Sequence, residues 1–316
     1  MTDRSDDNAL WMRRLRMRHL ESFLVLVSAG NLTLAAARLH MTQSAVSHWL
    51  GEMEDIVGTR LIVRGKQLQL TPAGEAVRKL ASRILGEVNR TSDELSSIAS
   101  GELARLNIGC ITAGLANLLP HAILRFRASY PQLCVQISEG NFDDLLERLE
   151  LRELDLVIGA VDSRAFGDQL ERIALCSDNL AAIASSTHPL RRCDAIEWSD
   201  VFEYPLIMPP RGTLMRQRLD AVLLERDGAH IRAAIETGSV TALESIVRMS
   251  THIGICSATI AKQLALSGKT NPLPLTSPLP FGPIGAVWRR GVPGRTLSSF
   301  ISALRETASK DCSTVF

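Results

Sequence analysis

Apolar residues recur every three or four positions through the first part of the chain, and this spacing predicts three short helices. The first covers residues 18–29 and ends at Gly30. Thr33 is predicted to cap the second helix, and Thr42 to cap a third helix over residues 43–57. The third helix carries one apolar stripe, which consists of Val46, Leu50, Met53 and Val57.

Two short runs with strand character follow the third helix, at residues 60–64 and 67–70. Gly65 lies between them, so the runs are predicted to pair as a β-hairpin. Arg64 and Lys66 then lie at the tip of the hairpin, where positive charge suits a phosphate or the minor groove of DNA.

A long helix is predicted from Pro72 to Ser100, because Thr71 is a good cap, proline suits the first helical turn and no breaker follows. At ~1.5 Å per residue it is roughly 40 Å long. Apolar and small residues recur along it at heptad spacing, which favours pairing with a second copy of the helix; packing against its own domain is the alternative. This seam consists of Val77, Ala81, Ile84, Val88, Thr91, Leu95 and Ile98.

Strands and helices alternate through the rest of the chain, which predicts βαβ units and a mainly parallel sheet. The last strand and helix are predicted to return to the first half of this region. The predicted strands cover residues 106–111, 133–138, 155–158, 180–185, 206–208, 231–236, 254–256 and about 285–288. The predicted helices cover residues 118–130, 143–151, 214–226, 240–249 and 297–307.

Composition places the chain among globular proteins with more than one domain, since it has 316 residues of which 46% are hydrophobic and 22% charged. The formal net charge is only +1, but it is unevenly distributed. Residues 8–86 contain 11 Arg or Lys against 5 Asp or Glu, so the remainder is mildly acidic. A basic N-terminal module on an acidic body is typical of a DNA-binding protein.

Several classes of protein are disfavoured by what the sequence lacks. There is no long apolar run for a membrane span and no apolar leader of a secretory signal, so a cytoplasmic protein is expected. The six cysteines are scattered and are predicted to be mostly reduced core residues, although redox sensing by one pair stays open. Metal-binding, phosphate-loop and nucleophile-elbow motifs are missing, so neither a metal, a cofactor nor an enzyme activity is expected.

The polar face at the start of the third helix is the strongest candidate for chemistry. Gln43, Ser44, Ser47 and His48 are predicted to lie opposite the apolar stripe. Their side chains can hydrogen-bond base edges or phosphates, and a helix N-terminus itself favours phosphate. An ordinary three-helix bundle with a polar surface is the alternative.

These features together resemble the DNA-binding module of the LysR-type transcriptional regulators over residues 19–75, and more weakly to about residue 307. Leu34, His48, Trp49 and Ile62 depart from the common pattern of that family, which leaves open which bases are read. The resemblance is carried by Phe23, Ala35-Ala36, Leu39-His40, Thr42-Gln43-Ser44-Ala45-Val46-Ser47, Glu54, Gly58, Leu61, Arg64 and Leu70-Thr71-Pro72-Ala73-Gly74-Glu75.

The resemblance implies an α+β protein with an N-terminal winged helix-turn-helix, a long linker helix and a C-terminal two-lobed α/β domain similar to periplasmic solute-binding proteins. The expected parts are an extension at 1–16, the winged helix at 17–71, the linker at 72–100, a hinge at 101–105 and an effector-binding domain at 106–316. Within that domain, lobe one covers about 106–177 and 282–316, and lobe two about 178–281. The expected DNA-binding residues are Thr33, Thr42, Gln43, Ser44, Ser47, His48, Trp49, Arg64 and Lys66.

A ligand cleft is expected beyond the carboxyl ends of the strands, as in other open α/β sheets. Arg211 is the sharpest candidate there, because a guanidinium could hold an anionic inducer; a surface arginine is the equal alternative. Helix capping is the plain alternative for the Ser and Thr residues. The expected effector-binding residues are Thr112, Gly114, Asn141, Arg211, Thr213, Ser239 and Thr241.

The sequence and the resemblance therefore predict a transcription regulator that acts as a homodimer on a pseudo-palindromic operator in double-stranded DNA; the resemblance implies a homotetramer as the alternative assembly. Its inducer is expected to be a small molecule such as an organic acid, an aromatic acid or a sugar. A metabolite sensor without a direct DNA role is the first alternative, and a cleft enzyme the second.

Overall fold

The computed structural model describes residues 11, 13–63, 68–100, 105–161, 166, 168–225, 233–268, 270–291 and 294–311. The chain divides into two units, Met1–Glu102 with Glu150–Glu153, and Leu103–Leu149 with Leu154–Phe316. The predicted hinge at 101–105 falls almost wholly outside the described residues, as does most of the predicted N-terminal extension.

Three helices of the first unit pack around one apolar core. Phe23, Val46 and Met53 are fully buried in it, together with Leu50 at 7% exposure. The predicted stripe of the third helix is therefore its inner face, because apolar residues at helical spacing are buried together. The helices are α1 (Met17–Ala29), α2 (Leu32–Leu39) and α3 (Gln43–Val57).

Polar side chains begin two of these helices. The hydroxyl of Thr42 accepts a hydrogen bond from the amide of Ala45 at 3.2 Å, which confirms the predicted cap of α3. The predicted cap of α2 is wrong. Asn31 begins that helix, because its Oδ1 accepts the amide of Leu34 at 2.8 Å, and Thr33 is the second residue of the helix.

A short antiparallel hairpin follows α3, as predicted. Its strands are β1 (Ile62–Val63) and β2 (Gln69–Leu70), and Ile62 pairs with Leu70. Both strands are shorter than the predicted runs. The hairpin tip with Arg64 and Lys66 lies outside the described residues.

The long helix α4 (Pro72–Ser100) starts and ends where the sequence predicts. Its first turns pack within the first unit, since Val77 is 7% exposed and Ala81 is fully buried. Farther along the same seam, Val88 is 47% and Leu95 is 61% exposed. The first part of the seam therefore packs against its own domain, whereas the exposed part can pair with a second copy of the helix.

The second unit is built on a nine-stranded sheet in the order β4-β3-β5-β11-β6-β9-β7-β8, with β10 beside β6. The outer pairs are parallel, but the three pairs at the centre are antiparallel, so the prediction of a mainly parallel sheet holds only for the two ends. The strands are β3 (Leu106–Cys110), β4 (Val135–Glu139), β5 (Leu156–Ala160), β6 (Leu170–Ser185), β7 (Leu206–Met208), β8 (Ala233–Glu236), β9 (Ile253–Ser257), β10 (Thr270–Pro272) and β11 (Leu279–Arg289).

Helices cover this sheet. The last helix, α12 (Arg295–Asp311), packs against α6 (Leu118–Ser129), where Phe126 and Phe300 meet edge to face with ring centroids 5.2 Å apart. Together with the pairing of β11 with β5, this contact returns the end of the chain to the first half of the sheet, as predicted. The helices are α5 (Thr112–Leu115), α6 (Leu118–Ser129), α7 (Phe142–Glu150), α8 (Trp198–Phe202), α9 (Leu214–Glu225), α10 (Val240–Met249), α11 (Ala258–Ala265) and α12 (Arg295–Asp311).

The exposed part of the α4 seam makes a testable prediction. Replacing Leu95 by Glu should weaken self-association roughly tenfold or more, because an unpaired carboxylate would be buried between two helices. Sedimentation of the full chain over a concentration series measures this. Ser92→Glu introduces the same charge beside the seam and should leave association unchanged; equal dissociation of both variants would contradict the pairing role.

Candidate functional site

The exposed face of α3 carries the polar residues that the sequence singled out. Gln43, Ser44, Ser47 and His48 are all exposed, opposite the buried stripe. The hydroxyls of Thr42 and Ser44 lie 3.0 Å apart, so the cap and the first turn form one small hydrogen-bonding group. A helix that is anchored on one side and offers donors and acceptors on the other can enter a groove of DNA.

Other predicted DNA-binding residues differ in their surroundings. His48 lies 3.5 Å from Glu52, and both side chains are well exposed. Thr33 is exposed on α2. Trp49 is half-buried and packs against the core of the three helices, so most of its indole serves packing.

The second unit contains a cavity of about 340 Å³ at the carboxyl ends of several strands. Four of the seven predicted effector-binding residues line it: Thr112, Asn141, Thr213 and Ser239. The other three, Gly114, Arg211 and Thr241, are not among its lining residues. Gly114 is buried, and a Cβ atom at this position would stand only 2.6 Å from the sulfur of Cys110.

Three of the hydroxyl groups that line the cavity form hydrogen bonds within the protein. Thr112 donates to Glu139 at 2.7 Å, and Ser239 accepts the amide of Ala242 at 3.2 Å to cap α10. Thr213 accepts the amide of Arg216 at 3.2 Å and so lies at the start of α9. These hydroxyls therefore hold the loops of the wall in place.

The charge in the cavity wall is negative. Glu139 and Asp143 line it, whereas no lysine or arginine is found among its described lining residues. Arg211 instead has a side chain 82% exposed and lies 3.7 Å from Glu236. Its predicted contact with an anionic inducer has no support from this position.

Arg216 does not line the cavity itself but stabilises residues that form one of its walls. Its side chain is 6% exposed and donates to Asp220 at 2.7 Å and to Glu236 at 2.8 Å. It also donates to the carbonyl of Pro209, itself a lining residue, at 3.2 Å. Because of the hydrogen bond from Arg216, the pKa of the Glu236 carboxyl is lowered.

Cys256 lines the cavity but is a poor redox group. Burial, followed by the nearby charge of Asp178, raises the pKa of its thiol to about 12, and a protonated thiol is a weak nucleophile. Burial also raises the pKa of Cys110. Of the cysteines predicted to lie mostly in the core, Cys110 and Cys256 are buried there and Cys176 packs against it, whereas Cys134 and Cys193 are exposed; Cys312 lies outside the described residues.

Most of the apolar lining residues were not predicted from the sequence, and neither was the polar Thr237. They lie on β9 or in the loops and helices that follow β4, β7, β8 and β9, so the carboxyl ends of those strands were a usable signal. The missed residues include Phe142, Met215, Thr237, Leu243, Ile255, Cys256 and Ile260.

Within the described residues, no helix has the length and apolar character needed to cross a membrane. The same part of the chain brings no three His, Cys, Asp or Glu residues together in a way that would hold a metal ion.

A helix-turn-helix followed by a hairpin and a long, partly exposed helix, together with a nine-stranded sheet whose loops line a cavity, is the architecture of a DNA-binding protein with a ligand-binding domain. The family model for the LysR substrate binding domain matches residues 99–309, and the model for the bacterial regulatory helix-turn-helix protein, lysR family, matches residues 17–75. The chain therefore belongs to the LysR family of transcriptional regulators. It is a DNA-binding transcription regulator with an effector-binding domain.

Individual relatives agree with this assignment. The uncharacterized HTH-type transcriptional regulator YdcI of Escherichia coli (strain K12) is 30% identical over 75% of this chain and 77% of its own. The HTH-type transcriptional regulator PcaQ of Agrobacterium fabrum is 26% identical over 94% of this chain and 96% of its own.

Solved structures have the same fold. CbnR, a LysR family transcriptional regulator, has a TM-score of 0.68 at 21% identity, over 93% of this chain and 99% of its own. Full-length CbnR in complex with its target DNA has a TM-score of 0.68 at 20% identity, over 93% of this chain and 100% of its own.

The role of Arg216 makes a testable prediction. Arg216→Met should lower the free energy of unfolding by about 1.5–3 kcal/mol at neutral pH, because hydrogen bonds to charged groups are lost. A carboxyl whose folded pKa is lowered stabilises the fold above its unfolded pKa, and that contribution is lost as pH falls. The difference between wild type and variant should therefore narrow below about pH 4.5, the ordinary value for Glu236.

Urea denaturation over a pH series measures both effects. Arg211→Met is the matched control, since Arg211 approaches the same carboxylate from an exposed position. It should change stability by less than about 0.5 kcal/mol. A pH-independent loss in Arg216→Met would contradict the ion-pair account.

Proposed function

We propose that the exposed face of α3 reads base edges in the major groove of an operator. The observation that carries this is the geometry of α3: Thr42 caps it, Val46 and Met53 anchor it, and Ser47 and Gln43 face solvent. Short polar side chains at the N-terminus of a helix can approach base edges closely. Thr33, Ser44, His48, Arg64 and Lys66 are proposed to add contacts to bases or phosphates, and Trp49 to support the helix by packing.

Ser47 and Arg64 are proposed to have different roles, which can be separated. Ser47→Ala should reduce discrimination between operator and unrelated DNA by about 1 kcal/mol, with little effect on non-specific binding. Arg64→Ala should weaken binding to every duplex and reduce the salt slope by about 1. Fluorescence anisotropy on both duplexes over a salt series measures these effects. Equal losses on all DNA from both variants would contradict the division of roles.

We further propose that two or four chains assemble through the exposed part of the α4 seam. Two copies of α3 would then meet a pseudo-palindromic operator whose half-sites are about one helical turn apart. Since such an operator is chromosomal, the protein is proposed to act in the cytoplasm. The cavity is proposed to bind its ligand without turnover, in line with the regulators among the relatives.

The inducer is proposed to be an uncharged or cationic molecule with an apolar body. Much of the cavity wall is apolar, with Leu243, Ile255 and Ile260 among its residues. Glu139 and Asp143 supply the charged groups of the wall, and carboxylates disfavour an anion nearby. Of the classes that the sequence left open, a neutral hydroxylated compound therefore fits better than an organic or aromatic acid.

A matched set of probes tests this ligand class. Phenethylamine and 2-phenylethanol should raise the melting temperature of the full chain in a concentration-dependent way, and phenylacetate should raise it less. The three share one ring and differ in charge, so the order reports the charge of the wall. Glu139→Gln should reduce the advantage of the amine. A larger rise with phenylacetate than with the amine would contradict the proposal.

A further inference from the structure

Residues 60–62 connect α3 to the hairpin of β1 and β2, which we call the wing. Glu54, on the last turns of α3, contacts this segment from one side, and Thr71, the cap of α4, contacts it from the other. We propose that Glu54 is a positioning residue for DNA binding: it sets the wing at a defined angle to α3, so that both contact one duplex.

The contact from α3 is a forked hydrogen bond to the backbone. Oε1 of Glu54 accepts the amide of Leu61 at 2.8 Å and the amide of Ile62 at 3.3 Å. Leu61 is fully buried and Ile62 is 6% exposed, so little water is available to replace the carboxylate. Hydrogen bonds to a charged acceptor are roughly twice as strong as neutral ones. The start of β1 is therefore tied to the helix that reads the bases.

The contact from the start of α4 involves its cap residue, Thr71, and Gly74 in its first turn. The hydroxyl of Thr71 donates to the carbonyl of Arg60 at 2.7 Å, and its amide donates to the carbonyl of Leu61 at 3.0 Å. At Gly74 a Cβ atom would stand 2.0 Å from that same carbonyl oxygen of Leu61. Only glycine allows this approach, so α4 presses directly on the backbone that Glu54 holds.

These contacts leave the base of the wing little freedom. Ile62 is both a partner of Glu54 and the first residue of β1, so the hydrogen bond that its amide donates to Glu54 fixes where β1 begins. Glu54 is half-buried, and its negative charge by itself would weaken binding to the phosphates of DNA. Any favourable effect of Glu54 on DNA binding must therefore come from the position that it gives to the wing. Loss of positioning and loss of negative charge therefore change the affinity in opposite directions.

That opposition provides the test. Full-length Glu54→Gln and Asp55→Asn each remove one negative charge from α3, and Asp55 is exposed beside Glu54. On charge alone, both variants should bind a random-sequence duplex slightly more tightly than wild type. With a positioning role, Glu54→Gln should instead bind roughly threefold to tenfold more weakly than Asp55→Asn, with a salt slope lower by up to about 1.

Amide hydrogen exchange at Leu61 and Ile62 supplies a second readout that does not depend on DNA. Exchange should be faster in Glu54→Gln than in Asp55→Asn, and faster still in Glu54→Ala. Glu54→Gln retains one neutral hydrogen-bond acceptor. If Glu54→Ala does not fold, the comparison of Glu54→Gln with Asp55→Asn alone tests the positioning role. Equal affinity, equal salt slope and equal exchange in Glu54→Gln and Asp55→Asn would overturn the proposal.

Discussion

The pairing of β6 with β11 is the interaction on which the ligand-binding domain depends. These two long strands run antiparallel through the centre of the sheet, with register pairs from Leu279 with Leu180 to Arg289 with Leu170. β5 pairs with β11 on one side and β9 pairs with β6 on the other, so both parallel ends of the sheet are joined through the β6–β11 pair. Without this pairing there would be two separate half-sheets and no shared cavity between their loops.

The register of that pair is broken twice, between Pro280 and Gly282 and between Ile284 and Gly285. Bulges of this kind bend a strand and re-aim its side chains. At Gly285 a Cβ atom would stand 2.1 Å from the carbonyl oxygen of Ile173, so glycine permits the second irregularity. The central strands are thus shaped by backbone contacts as much as by side-chain packing.

The first unit was predictable because its signals are local. Apolar spacing, the Thr42 cap and the Gly58 stop lie within a few residues of the elements they define, and Gly58 has the left-handed φ of 80° that suits glycine. The mistaken cap at Thr33 was also a local question, decided by where the helix begins: Asn31 accepts the amide of Leu34, three residues on, and Thr33 already lies within the helix.

The second unit was less predictable because its organisation depends on distant partners. In the first half of β6 most positions are partly buried or exposed, and polar residues interrupt the apolar ones, so only its apolar end had a clear strand pattern. Whether Arg211 or Arg216 serves the cavity depends on how α9 and β8 meet, which spacing alone does not reveal. Arg216 is buried against Glu236, and Arg211 reaches the same carboxylate from solvent.

Sequence-selective DNA binding is the central claim, and one measurement tests it most directly. The full chain is titrated by fluorescence anisotropy with the DNA immediately upstream of its own coding region and with a shuffled duplex of the same composition. The account predicts tighter binding to the upstream DNA by a factor of about 10³ or more, with affinity for both duplexes falling as salt rises. Equal affinity for the two duplexes at every salt concentration would contradict it.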